Sequence, residues 1–196
     1  LSTKPQDLKF KGEETLCFIG DNNSIRENVT ISRGTASKGK TVVGNNNLLM
    51  ENMHVAHDCV LGSNCIIGNS TKFAGEVHID DNAIISATVL CHQFCKIGGY
   101  VMIQGGCRFS QDIPPYIIAS GKPVKYSCPN NVIMEAAGFD PRVRKHIANA
   151  YRLVFHGQTS VFDAVNQIKD QVPDGPEVRN IISFIEGTKL GIISKM

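Results

Sequence analysis

The chain has 196 residues, 42 % of them hydrophobic and 19 % charged, with a formal net charge of +2. These values fit one globular domain with a modest appendage, and the charge is too small for a nucleic-acid footprint. No apolar run approaches the roughly 18 to 20 residues that cross a bilayer, and the opening LSTKPQDLKF lacks the apolar centre of a signal peptide. The chain begins with Leu1 rather than Met, so an upstream segment is expected to be absent. Seven cysteines, an odd number without framework spacing, argue against a secreted disulfide scaffold and for a reducing, cytoplasmic setting.

From residue 43 onward, every sixth residue is apolar: Val43, Leu49, Val55, Leu61, Ile67, Phe73, Ile79, Ile85, Cys91, Ile97, Ile103 and Phe109. Four positions after each stands a residue that is mostly small or β-branched, from Asn47 through Cys59, Cys65 and Thr71 to Cys107. The same frame reaches upstream to Ile19, Ile25 and Ile31. A period of six is neither that of a helix nor that of a strand; it is the repeat of a parallel β-helix. Three hexads then make a triangular coil of about 18 residues, with coils stacked about 4.8 Å apart. In this register Cys91 and Cys95 both face inward, as small apolar residues rather than as a metal site.

The repeat is expected to stop at Gln111-Asp112-Ile113-Pro114-Pro115-Tyr116, because proline cannot donate to a ladder. A Gly-, Pro- and Ser-rich connecting segment follows to about residue 130. Beyond it, Pro141 opens a helix with an apolar stripe of Val143, Ile147, Ala150 and Val154. Two more amphipathic stretches run from Ser160 to Val172 and from Pro176 to Glu186, and the three are expected to cap the end of the stack. The expected division is a β-helix over 1–120 and a connecting segment with helical domain over 121–196.

Residues 18 apart share a column on one face. His57, Gly75, Gln93 and Gln111 form one such column, with Asp58, Glu76 and Phe94 on one side and Ala56, Ala74 and His92 on the other. Two histidines, two carboxylates and an amide are thus expected to converge on one outward corner, within about 9.6 Å from His57 to Gln93. His57 suits a general base, since imidazole titrates near neutrality. Asp58 or another carboxylate would fix its tautomer, and the Gly75 N–H is a candidate oxyanion donor. A three-histidine zinc site between subunits, drawn from His54, His57, His78 and His92, is the competing reading, weakened because His78 falls on another face.

HVAHDC (54–59), GNSTKFAGEVHIDD, HQF (92–94), VMIQGG and QDIPPY together resemble the UDP-N-acetylglucosamine O-acyltransferases of lipid A synthesis, as do Pro5-Gln6-Asp7-Leu8-Lys9 and IRENVTISRGT. The resemblance covers nearly the whole chain. It implies an all-β, left-handed parallel β-helix with a C-terminal α-helical cap, and transfer of a 3-hydroxyacyl chain from acyl carrier protein to the 3-hydroxyl of UDP-N-acetylglucosamine. It implies His57 as the base, Asp58 as its partner and the Gly75 amide as oxyanion donor. Asp7, Lys9, His54, Glu76, His92, Gln93 and Asn130 would contact substrate, and Gly105 would leave room for a long acyl chain. It also implies a cytoplasmic homotrimer with sites between subunits. Lys72, Arg108, Arg142, Arg144 and Lys145 are candidate contacts for the acidic carrier. A thioester donor is already activated, so no cofactor and no metal are expected.

Two departures stand out. Ala136-Ala137 precede Gly138-Phe139 where many members carry an Arg pair associated with the nucleotide phosphates, and Glu76 stands where many have His. The resemblance also leads one to expect several further N-terminal coils that this sequence does not include. The alternatives are the N-acyltransferase of the same pathway, a γ-class zinc carbonic anhydrase, and a non-catalytic scaffold.

Overall fold

The computed structural model describes residues 1–195. Strands come in successive triplets. The first holds β1 (Leu16–Ile19), β2 (Ser24–Ile25) and β3 (Thr30–Ile31), and the second β4 (Lys40–Val43), β5 (Leu48–Leu49) and β6 (His54–Val55). Next come β7 (Val60–Leu61), β8 (Ile66–Ile67) and β9 (Lys72–Phe73), then β10 (His78–Ile79), β11 (Ile84–Ile85) and β12 (Leu90–Cys91). The last triplet is β13 (Lys96–Ile97), β14 (Met102–Ile103) and β15 (Arg108–Phe109). Each strand pairs in parallel with the one three places on, which builds the three walls of a β-helix.

The six-residue frame is the interior. Every apolar frame residue from Val43 to Phe109 is buried, and so is every residue four positions later from Asn47 to Cys107. The two polar members are satisfied, as burial requires. Asn47 Nδ2 donates to Gly62 O at 2.9 Å and its Oδ1 accepts from Cys65 N at 2.7 Å, while Thr71 Oγ1 donates to Ser86 O at 2.8 Å. The corners carry their own period. Asn46, Asn52, Asn64 and Asn82 all turn the chain at φ between 57° and 62°, the left-handed conformation that asparagine tolerates better than most residues. Asp58, Glu76 and Phe94 do the same job in one column at φ of 62°, 60° and 69°.

One irregularity breaks the repeat. From β4 to β15 the register step is 18, as in Val42 with Val60 and His54 with Lys72, and it shortens to 16 where β16 joins at Met102 with Ile118. Between the first two triplets it is 24, with Leu16 paired to Lys40 and Thr30 to His54. The extra six residues form a loop, 34–39, whose ends are pinched together: a Cβ on Gly34 would lie 2.2 Å from Lys40 N. The loop leaves the stack at the corner that carries His57 one coil above.

The segment expected to be a plain connector is a hairpin. β16 (Ile117–Ser120) continues the β14 sheet in parallel and β17 (Lys125–Pro129) returns antiparallel to it. Its turn, Gly121 to Pro123, supplied the turn-like composition, while Tyr126 is buried against the cap. Helix α1 (Asn131–Ala136) follows, then α2 (Pro141–His156), α3 (Val161–Gln171) and α4 (Pro176–Glu186). The Asp140 side chain accepts from Arg142 N and the Ser160 side chain from Asp163 N, so both polar caps sit directly before the first helical residue. The cap closes on the last coil. Tyr151 donates to Pro115 O at 2.6 Å, Asn180 to the Tyr116 hydroxyl at 2.9 Å, and Tyr126 stacks on Phe155 at 4.1 Å.

Candidate active site

His57 occupies the corner between β6 and β7. Its Nδ1 lies 2.8 Å from Asp58 Oδ2. Asp58 is 4 % exposed and is held on every side: its Oδ1 accepts from Thr35 N at 2.9 Å, its Oδ2 from Thr35 Oγ1 at 2.5 Å, and its own N–H donates to Thr41 Oγ1 at 2.8 Å. A buried carboxylate with this many donors keeps one orientation, and that fixes the imidazole tautomer with Nε2 free to face outward. Nε2 looks toward Asp7, whose Oδ2 is 3.9 Å away.

The ring rests on Gly75 of the next coil. A Cβ built there would come within 2.5 Å of His57 Cε1 and 2.6 Å of Nε2. Only glycine admits this approach. Among the described residues the Gly75 N–H donates to no acceptor, and Gly75 lines the same cavity as His57. That cavity, of about 800 Å³, is also lined by Asp7, Lys9, Glu76, Gln93 and Phe94 and by Thr35 to Ser37 of the inserted loop. The sequence therefore brings His57, Gly75, Glu76, Gln93, Asp7 and Lys9 together around one space.

The other expected residues lie elsewhere. His92 does not converge with His57. It lines a second cavity of about 840 Å³ with Ala74, Arg108, Ser110 and Lys122, on the β6-β9-β12 face. The reason is the corner itself: Gln93 stacks over Gly75 and His57, while His92 stacks over Ala74 one residue earlier and turns the other way. His54 is on that face too, its Nδ1 2.7 Å from Thr30 Oγ1. Burial, and then the neighbouring Lys72 and His57 charges, pull its imidazole below the ordinary histidine value. Gly105 turns the corner between β14 and β15, at the far edge of the same face. Asn130 is 2 % exposed and is spent within the chain, donating to Tyr100 O at 3.1 Å and capping α1 through Ile133 N. Arg144 pairs with Glu135 and Arg142 with Asp140. Ala136 and Ala137 close α1 at the surface.

His78 sits on the β7-β10-β13 face, 2.9 Å from Asp80, so it shares no site with His54 or His92. Among the described residues no three His, Cys, Asp or Glu side chains are placed to hold a metal ion. Sequence reasoning missed Thr35, Ser37, Thr41 and Glu13. A signal for the loop existed: the frame position six before Val43 is Ser37, not an aliphatic residue, and Gly34 and Gly39 flank it.

Comparison with known proteins gives a consistent set. The family model described as UDP-N-acetylglucosamine O-acyltransferase, domain 2, matches residues 112–193, and the bacterial transferase hexapeptide model matches residues 40–75. A solved UDP-N-acetylglucosamine acyltransferase from Bacteroides fragilis is 58 % identical with a TM-score of 0.97, covering 98 % of this chain and 76 % of that one. The Moraxella catarrhalis UDP-N-acetylglucosamine O-acyltransferase is 38 % identical with a TM-score of 0.94, over 98 % of this chain and 76 % of that one. An Aquifex aeolicus protein named as an acyl-carrier-protein-dependent UDP-N-acetylglucosamine O-acyltransferase is 49 % identical over 189 residues, 96 % of this chain and 72 % of its own length. With the repeat, the cap and the extent of these matches together, the chain belongs to the UDP-N-acetylglucosamine O-acyltransferase family.

Proposed function

We propose that this chain transfers a 3-hydroxyacyl group from acyl carrier protein to the 3-hydroxyl of UDP-N-acetylglucosamine, the first step of lipid A synthesis, with His57 as general base. The observation that carries the reading is the ordered set Asp58–His57–Gly75 at one cavity wall: a fixed imidazole packed against a glycine whose N–H has no acceptor among the described residues.

The chemistry follows from the geometry. His57 Nε2 takes the proton of the acceptor hydroxyl as its oxygen bonds to the thioester carbonyl carbon. The negative charge moves to the carbonyl oxygen, where the Gly75 N–H stabilises it. On collapse the C–S bond breaks, and the protonated His57 returns the proton to the leaving thiolate. Asp58 holds the imidazolium and does not itself exchange the proton. Asp7, Lys9 and Gln93 line the space where the sugar would lie. On the adjacent face, Gly105 adds no side chain, which leaves the acyl path open there.

The working unit is a homotrimer. The outer side of the β2-β5-β8-β11-β14-β16 sheet carries Leu48, Ile66, Ile84, Met102 and Ile118 in one column, a contiguous apolar strip of the kind that a partner copy covers. Its half-open cavities would be completed by a neighbour. No helix among the described residues is long and apolar enough to cross a membrane, and the interior thiols are unpaired, in keeping with a cytoplasmic enzyme.

The test is transfer from a panel of 3-hydroxyacyl carrier proteins to UDP-N-acetylglucosamine, with His57→Ala alongside. Turnover that falls by about 10² to 10⁴ in the variant is expected. A near-normal variant rate would remove His57 as the base, and nucleotide binding without turnover in the wild type would select a scaffold.

A further inference from the structure

The loop 34–39 is the one insertion in the lower repeat, and it forms part of the cavity wall beside His57. It is held by carboxylates from three separate levels of the chain. Asp58 takes Thr35 through both N and Oγ1. Glu13 Oε1 accepts from Ala36 N at 3.0 Å. Glu76 Oε1 accepts from Ser37 Oγ at 2.9 Å, and its Oε2 lies 3.9 Å from Lys38 Nζ. Glu76 is the only one of the three that reaches down from the coil above His57.

Glu76 is also badly placed for its own backbone. Its φ is 60°, the left-handed conformation that Asn46, Asn52, Asn64 and Asn82 adopt at other corners and that Ser70, Thr88, Phe94 and Tyr100 adopt as well. Asparagine suits that conformation and glutamate does not. Asparagine is also one methylene shorter. A glutamate in that turn, with its carboxylate closed on Ser37 and beside Lys38, points to the reach of the side chain as its use.

We propose that Glu76 is a positioning residue that clamps the 34–39 loop through Ser37 and so sets the acceptor-side wall of the His57 cavity, rather than a direct substrate contact. The inference rests on the reading of that cavity as the acceptor site. Because Asp58 holds both Thr35 and His57, a loose loop would also loosen the acceptor relative to Nε2, yet leave the base itself in place.

Four substitutions, and one double variant, test this. Glu76→Asn relieves the corner and breaks the clamp. The expected result is a folded protein of unchanged or higher melting temperature whose acceptor KM rises about tenfold, the loss of one charge-assisted hydrogen bond, while the pH profile of kcat/KM keeps its shape. Glu76→Gln retains an acceptor for Ser37 and loses only the exposed Lys38 pair, so it should stay within about threefold of wild type. Glu76→Ala and Ser37→Ala, singly and together, should give the same rise in KM. Additive effects in that cycle, or a Gln variant as poor as Ala, would mean that the Glu76 charge acts on substrate directly and would overturn the clamp. Amide hydrogen exchange at 36–39, read on wild type and Glu76→Asn without substrate, judges the clamp independently of turnover. Faster exchange in the variant supports it and unchanged exchange overturns it, even for a wild type that transfers no acyl group, which would instead defeat the functional reading.

Discussion

Asp58 Oδ2 lies 2.8 Å from His57 Nδ1 and 2.5 Å from Thr35 Oγ1, so one buried oxygen ties the base to the inserted loop. Replacing it by the isosteric amide separates shape from charge. Asp58→Asn keeps the volume but cannot accept at both oxygens and stabilise an imidazolium. We expect kcat to fall by about 10² to 10⁴, the range for loss of general-base function. Stability should fall by about 1 to 3 kcal/mol, because Thr35 loses a charged acceptor in a buried setting. Steady-state kinetics and a urea titration check both, and an Asn variant with wild-type kcat would show that Asp58 serves only the loop.

Gly75 offers the sharpest steric test. No left-handed φ constrains it, so alanine suits its backbone, yet the added Cβ would sit 2.5 Å from His57 Cε1. The ring must swing, and the Asp58 bond goes with it. Misplacement by about 1 Å costs on the order of 10²-fold in rate. Gly75→Ala should therefore lose at least that in kcat while its melting temperature moves by only a few degrees, since the contact lies at a cavity edge. Retained activity in the alanine variant would mean that the ring has another productive position.

Much of this was legible in the sequence because a period of six leaves little freedom. Once Val43 to Phe109 are in frame, the columns follow, and His57 under Gly75 under Gln93 can be read by counting. Counting fails where a residue sits beside a corner rather than on it. His92 is one position from Gln93, and that single step turns it onto the next face. It fails again where residues are inserted: the loop 34–39 keeps the frame modulo six while lengthening the coil, so Ile19, Ile25 and Ile31 fit the pattern and the register of 24 stays hidden. The hairpin of β16 and β17 was masked by its turn residues, and Asn130, expected at substrate, is consumed by a helix cap that composition does not reveal.

The interior cysteines make the burial pattern measurable. Burial pushes the Cys59 thiol up to about 12 and Cys65 up to about 11, and raises Cys91 as well. A thiol in that range offers almost no thiolate near neutrality, and an attacking reagent cannot reach it. Cys128 is exposed on β17. Brief alkylation of the native protein followed by mass spectrometry should label Cys128 first and leave Cys59, Cys65, Cys91 and Cys95 unmodified until the chain is unfolded. Early labelling of Cys59 or Cys65 would contradict their placement inside the coils.

His54 gives the fold a pH dependence of its own. Its imidazole is depressed by burial first and by the facing Lys72 and His57 charges second, while Thr30 supplies the hydrogen bond at Nδ1. Between that depressed value and the ordinary value near 6.5, the unfolded chain binds more protons at this site than the folded one. Stability then rises with pH across the window: the contribution is fully present above the ordinary value and is lost as pH falls through the depressed one. His54→Gln removes the titration while keeping a group that can bond Thr30. Urea midpoints measured from pH 7.5 downward should fall less steeply in the variant than in the wild type. If the two curves run parallel, the loss of stability toward acid comes from other groups and His54 is not held neutral by its surroundings.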